Sequence, residues 1–185
     1  MPVWYKALIE PVSGLAVEVP GTFRFGNLSV TVPPELVGIA PEFTWFWKVA
    51  EFVPTPTNLS FHLRRDVKKV FDGDHTGEPF PGEWAFRAYA TEDGKTIRVF
   101  VDHAETPESL KWIVLHEIGH VIVAANPGLR KVYRSQPKPL NYATNDDVHD
   151  AWPEEIACND MANRLAPIPN LDRKWWRSRL HSRSL

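Results

Sequence analysis

The chain has 185 residues, roughly one domain's worth, of which 43% are hydrophobic and 24% charged, a balance that excludes global disorder and a coiled-coil rod. Its 21 basic and 23 acidic side chains leave a net charge of −2, which demands neither nucleic acid nor a membrane as partner, and its single cysteine, Cys158, excludes an internal disulfide framework. The first residues lack a basic start followed by an apolar run, and no stretch approaches the ~18 uninterrupted apolar residues of a membrane span, so a cytoplasmic location without signal peptide or anchor is expected.

In chain order, Val3–Ile9 and Phe23–Val32 read as strands, with Gly14, Pro20, Gly21 and Gly26 marking turns. Phe43–Phe52 fits a short helix or a strand, and its aromatic side chains are expected to plug a core. Leu59–Leu63 alternates as a strand does, and Arg64–Phe71 fits a short helix. Trp84–Tyr89 and Thr96–Val101 read as strands joined by the turn Glu92-Asp93-Gly94. Thr106 is a good N-cap, and Pro107 suits the first position of a long helix that is apolar nearly all round and stops at Asn126-Pro127-Gly128. Residues 127–149 read as a long polar connection. A further helix is expected from about Asp150–Pro153 to just before Pro167, and a last one in the tail. The chain divides into an N-terminal segment of unclear role (1–57) packed on the domain, a central domain (58–167) and a basic, Trp-containing tail (168–185).

Chemistry concentrates in the long helix. His116-Glu117-Ile118-Gly119-His120 is an HExxH sequence, and on a helix residues i and i+4 lie about 40° apart, so both imidazoles point the same way. Two such nitrogens suit one Zn²⁺, and Glu117 beside them is placed to take a proton from a metal-activated water. The composition predicts only about 0.02 chance matches to this pattern. An ionised glutamate between two histidines in so apolar a helix is costly unless something pairs with them.

Catalytic zinc takes three protein ligands and keeps one position open. Glu155 is the best third ligand, because Asn159 lies four residues on, on the same face, where it can hydrogen-bond a ligand histidine from behind. Glu154 and His149 are rivals for that place. Tyr133, Tyr142 and His149 are candidates to stabilise an oxyanion. Asp72, Asp74, Thr76 and Glu83 match part of a calcium-loop spacing, but Pro79 and Pro81 interrupt it, and an ordinary turn is expected. The basic, Trp-containing tail is expected to be a solvated face rather than a nucleic-acid site.

HEIGH followed by a helix with Glu-x-x-x-Asn resembles the gluzincin metallopeptidases. EEIACNDMANRLAPIP is similar to the glutamate-helix signature of the ImmA/IrrE-type peptidases, roughly E-x-E-A-N-x-F-A-x-x-L-L-M-P, with Glu155 on its first Glu, Asn159 on its Asn, Met161 on its Phe and Ala162 on its Ala. Ala157 stands in place of its second Glu and Cys158 in place of the Ala before the Asn, and the closing leucines are poorly kept. The resemblance covers about residues 59–167. It implies an α+β, zincin-like fold with a small twisted sheet, an HExxH helix and a glutamate helix, and a sheet whose edge strand, Thr96–Val101, pairs with an extended substrate. It implies zinc held by His116, His120 and Glu155, Glu117 as general base, and a peptide or protein substrate. The alternatives are a metal hydrolase acting on a non-peptide bond, or a regulatory module whose metal is structural.

Overall fold

A computed structural model describes residues 21–82, 86–102, 105–139, 141–142 and 145–166. The strand expected at Val3–Ile9, Glu83 of the calcium-like spacing and the tail from residue 167 lie outside the described residues. The architecture is α+β, with, among the described residues, a mixed five-stranded sheet and six α-helices.

β1 (Thr22–Phe25) and β2 (Leu28–Thr31) form an antiparallel hairpin in which Phe25 pairs with Leu28. Gly26 sits in the two-residue turn at φ +56°, a left-handed conformation that glycine reaches without a Cβ penalty. The aromatic run becomes a helix, α1 (Phe43–Ala50), and buries Phe46 and Val49 while Trp47 is exposed. It crosses over to β3 (Thr57–Leu63), parallel to β2. A single 3₁₀ turn, Arg64–Asp66, leads into α2 (Val67–Asp74). β4 (Ala88–Ala90) and β5 (Thr96–Val101) form the second hairpin, and β5 lies parallel to β3.

The sheet order β1-β2-β3-β5-β4 corrects one expectation. Thr96–Val101 is an interior strand, flanked by β3 and β4, and among the described residues the edge on that side is the short strand Ala88–Ala90. The chain forms β4 first and then turns β5 back inside it, so the strand nearest the long helix in sequence is not the outermost.

Residues 21–57 contribute two strands and α1 to the same core as the rest of the described chain. Leu59, Phe61, Ile97, Val99 and Val101 share one face of the sheet with Phe25, Leu28 and Val30. The opposite face carries Ser60, His62, Arg98 and Phe100 and is covered by aromatic side chains that include Phe71, Phe86 and Tyr89. Arg98 there donates to both oxygens of Asp74 and to Ser60, and Tyr89 also donates to Asp74. Asp72 accepts from Lys68, so both aspartates of the calcium-like spacing are engaged by protein groups.

The long helix, α3 (Pro107–Ala125), starts as its sequence indicates. Thr106 accepts from the Ser109 backbone and Ser109 Oγ accepts from the Thr106 backbone, a reciprocal cap with Pro107 in the first turn. Asn126 ends α3 and also begins a new helix, its side chain accepting from the Leu129 N–H. The connection expected at 127–149 therefore contains α4 (Pro127–Tyr133) and α5 (Asp146–Asp150), each capped by an asparagine before it. The last described helix is α6 (Pro153–Leu165), which packs along α3.

Candidate metal centre

α3 is buried on most of its surface, with Leu110, Ile113, Val114, Leu115, Ile118 and Val121 all in the core. His116, Glu117 and His120 are the polar interruption, at the place where α6 crosses. Glycine permits that crossing: a Cβ on Gly119 would stand 2.7 Å from Cys158 Sγ and 3.1 Å from Cys158 Cα and Cβ. The close approach brings a stripe of α6 at four-residue spacing onto α3. Glu155 meets both histidines, Asn159 meets His116, and Asn163 Oδ1 accepts from Trp112 Nε1 at 2.8 Å. The Trp112 ring in turn stacks near His116, with centroids 5.5 Å apart.

The two imidazoles present Nε2 to each other at 3.2 Å. Glu155 Oε2 lies 3.1 Å from His116 Nε2 and 3.3 Å from His120 Nε2. Ligands about 2.0–2.1 Å from a tetrahedral zinc are about 3.3–3.4 Å from one another, so this triangle has the size of one face of such a site. Behind the triangle, His116 Nδ1 is 2.9 Å from Asn159 Oδ1 and His120 Nδ1 is 2.9 Å from Glu154 Oε1. An amide oxygen and a carboxylate only accept, so each ring carries a proton on Nδ1, and a neutral ring then turns its Nε2 lone pair inward. Glu155 Oε2 is buried and receives no hydrogen bond. With both rings neutral, three acceptors converge with no donor among them, an arrangement that either a metal cation or a proton on His120 relieves.

Glu154 lies outside this triangle. Its carboxylate orients His120 and accepts two hydrogen bonds from Arg134, whose third nitrogen donates to the Glu92 carbonyl at 2.8 Å. His149 also stays out of the triangle, its Nε2 lying 3.6 Å from the outer oxygen of Glu155, Oε1. That oxygen accepts from the Tyr142 hydroxyl. Among the described residues no further His, Cys, Asp or Glu joins His116, His120 and Glu155 in a potential metal-binding group.

Burial shapes the acid–base behaviour of the site. Glu117 is 6% exposed, and desolvation raises its carboxyl above the ordinary glutamate range despite the neighbouring histidines. For Glu154 burial acts in the same direction, but hydrogen bonds from His120 and Arg134 outweigh it and bring the carboxyl to about 2. Glu155 is likewise held well below the carboxylate range, burial being overcome by His116 and His120. Burial opposes charge on His120 as well, yet contacts with Cys158, Glu154 and Glu155 raise it well above the usual imidazole value without a metal. Loading an ion must displace that proton. Desolvation pushes the Cys158 thiol up, which makes it a packing group rather than a thiolate.

Reading the sequence missed Arg134, the orienting role of Glu154 and the contact between Tyr142 and Glu155. Gly119 did carry a signal: a glycine inside an apolar helix costs about 1 kcal/mol relative to alanine and marks a close approach. Tyr133, another candidate oxyanion donor, lies at the end of α4 and joins none of these contacts. In comparisons with known proteins, no family model, no curated protein and no solved structure matches the chain. No helix among the described residues is long and apolar enough to cross a membrane.

Proposed function

We propose that this chain is a zinc-dependent peptidase of zincin-like fold, with the ion held by His116, His120 and Glu155 and with Glu117 as general base. The observation that carries the reading is the convergence of two imidazole Nε2 atoms and a buried carboxylate oxygen within 3.1–3.3 Å of one another. Two nitrogens and one oxygen suit zinc, and three protein ligands are the donor set of a catalytic site, which favours an enzyme over a structural metal module. Bound Zn²⁺ supplies Lewis acidity, lowering the pKa of water and polarising a carbonyl.

The chain's own residues supply the rest. Glu117 follows His116 directly, and its burial-raised carboxyl is a base better matched to neutral pH than an ordinary glutamate. It takes the proton of the attacking water and delivers it to the leaving amine. Asn159 and Glu154 hold the two imidazoles in the ligating tautomer. Strand β4, at the edge of the sheet among the described residues and packed against α3, offers backbone groups to which an extended peptide can add as a further strand, and this favours a peptide over a small non-peptide amide.

The test is metal analysis of the purified chain combined with digestion of casein and a peptide library, with and without chelator. The expected result is one ion per chain and cleavage that chelator abolishes. Glu117→Gln should retain the ion and lose about 10²–10⁴-fold in turnover. A chain that binds no stoichiometric ion, or a Glu117→Gln variant with wild-type turnover, would refute the proposal.

A further inference from the structure

The two oxygens of Glu155 face different surroundings. Oε2 points at the His116 and His120 nitrogens and accepts no hydrogen bond. Oε1 points away from them, accepts from the Tyr142 hydroxyl and lies 3.6 Å from His149 Nε2. A carboxylate can bind a metal through one oxygen or through both. Glu155 is 3% exposed, so the protein groups around it weigh heavily on that choice. Turning Oε1 toward an ion would cost it the hydrogen bond from Tyr142 and leave a phenol in a largely enclosed place without its acceptor.

Tyr142 is itself braced. Lys138 Nζ lies 4.3 Å from its ring centroid, the His149 ring is at 4.8 Å, and the Trp152 ring meets it edge-on at 5.9 Å. Its hydroxyl is directed at the oxygen that the histidines do not face, so it acts on the ligand and not in place of one.

We propose that Tyr142 is a positioning residue that confines Glu155 to ligation through Oε2 alone and so keeps a coordination position open for substrate. The inference rests on the metal-site reading above and says how that site preserves its vacancy. A second carboxylate oxygen on the ion would fill the position that a catalytic zinc site leaves to water and substrate.

The experiment loads the metal-free full chain with Co²⁺, whose visible absorption weakens as coordination number rises, and counts zinc neighbours in the Zn²⁺-loaded chain by X-ray absorption. Wild type should give intense four-coordinate bands and one carboxylate oxygen at bonding distance. Tyr142→Phe keeps the ring and removes only the hydroxyl. It should lower the band intensity about twofold or more and add one oxygen neighbour to zinc. Trp152→Phe, which alters the ring against Tyr142 and leaves the hydroxyl, should keep the wild-type spectrum. A Tyr142→Phe spectrum identical to wild type would overturn the inference, as would two bonded carboxylate oxygens in wild type, and both results would leave the metal site standing. A wild-type chain that takes up neither ion would overturn the metal-site reading along with it.

Discussion

Replacing Gly119 with alanine tests whether the helix crossing builds the site. In an uncrowded helix interior this change stabilises by about 1 kcal/mol, because alanine is the better helix former. Here the new methyl would lie 2.7 Å from Cys158 Sγ and 3.1 Å from Cys158 Cα and Cβ. Non-bonded carbons sit comfortably at about 3.5–4.0 Å, so α3 and α6 must separate locally by roughly 0.5–1 Å. Overpacking of this kind costs about 1–3 kcal/mol, which leaves the metal-free chain about 0–2 kcal/mol less stable after the propensity gain. The consequence at the site is larger. Glu155 lies one turn before Cys158 on α6, and metal–ligand distances tolerate only about ±0.2 Å. Zinc affinity should fall by about 10–100-fold, the usual effect of disturbing what supports the ligands. Urea unfolding of the metal-free chain measures the first effect, and chelator competition measures the second. Adding Cys158→Ala to the alanine variant removes the 2.7 Å contact but not those at 3.1 Å, so it should recover part of the loss. A Gly119→Ala chain that is about 1 kcal/mol more stable than wild type and binds zinc as tightly would refute the reasoning.

Two further outcomes follow from the groups behind the ligands and from the far face of the sheet. Asn159→Ala and Glu154→Gln each disturb the acceptor that fixes one histidine tautomer, and each should weaken zinc binding by about 10–100-fold in a chelator titration. Unchanged affinity in both would remove the orienting role from these residues. Asp74 is held below the ordinary aspartate range chiefly by hydrogen bonds from Arg98, against the cost of burial. Because its folded pKa is depressed, its contribution is fully present above the unfolded value of 3.8 and is lost as pH falls through the lower folded value. Asp74→Asn should therefore cost about 1–3 kcal/mol near neutral pH and almost nothing at the acid end, flattening the acid limb of stability measured by urea unfolding from pH 7 to pH 2. An acid limb as steep as that of wild type would show that Asp74 is not its source.

The parts of the molecule legible in the sequence are those governed by local periodicity and end chemistry. Thr106 and Pro107 mark the start of α3, and Asn126 marks its end. The i, i+4 spacings His116/His120 and Glu155/Asn159 indicate which side chains share a face, and the structure brings both pairs to one place. What escaped was nonlocal. Strand order depends on which way a hairpin folds back, so nothing within Thr96–Val101 reveals that Ala88–Ala90 lies outside it. Helices as short as Pro127–Tyr133 and Asp146–Asp150 complete too few turns to show an apolar stripe, and only their asparagine caps announce them. Glu154 and Glu155 are neighbours of the same type and similar burial, and their different tasks are set by groups on other elements, Arg134 for one and the two Nε2 atoms for the other.

Arg134 joins stretches of chain that are remote in sequence: one nitrogen holds the backbone at Glu92, in the tip of the β4–β5 hairpin, and the other two hold Glu154, which steadies His120. The tip of a surface turn is thereby tethered, through one guanidinium, to the proposed metal site. Shortening or re-engineering that turn would be felt as a change in ion retention, and any screen of loop variants for altered substrate choice would have to separate the two effects.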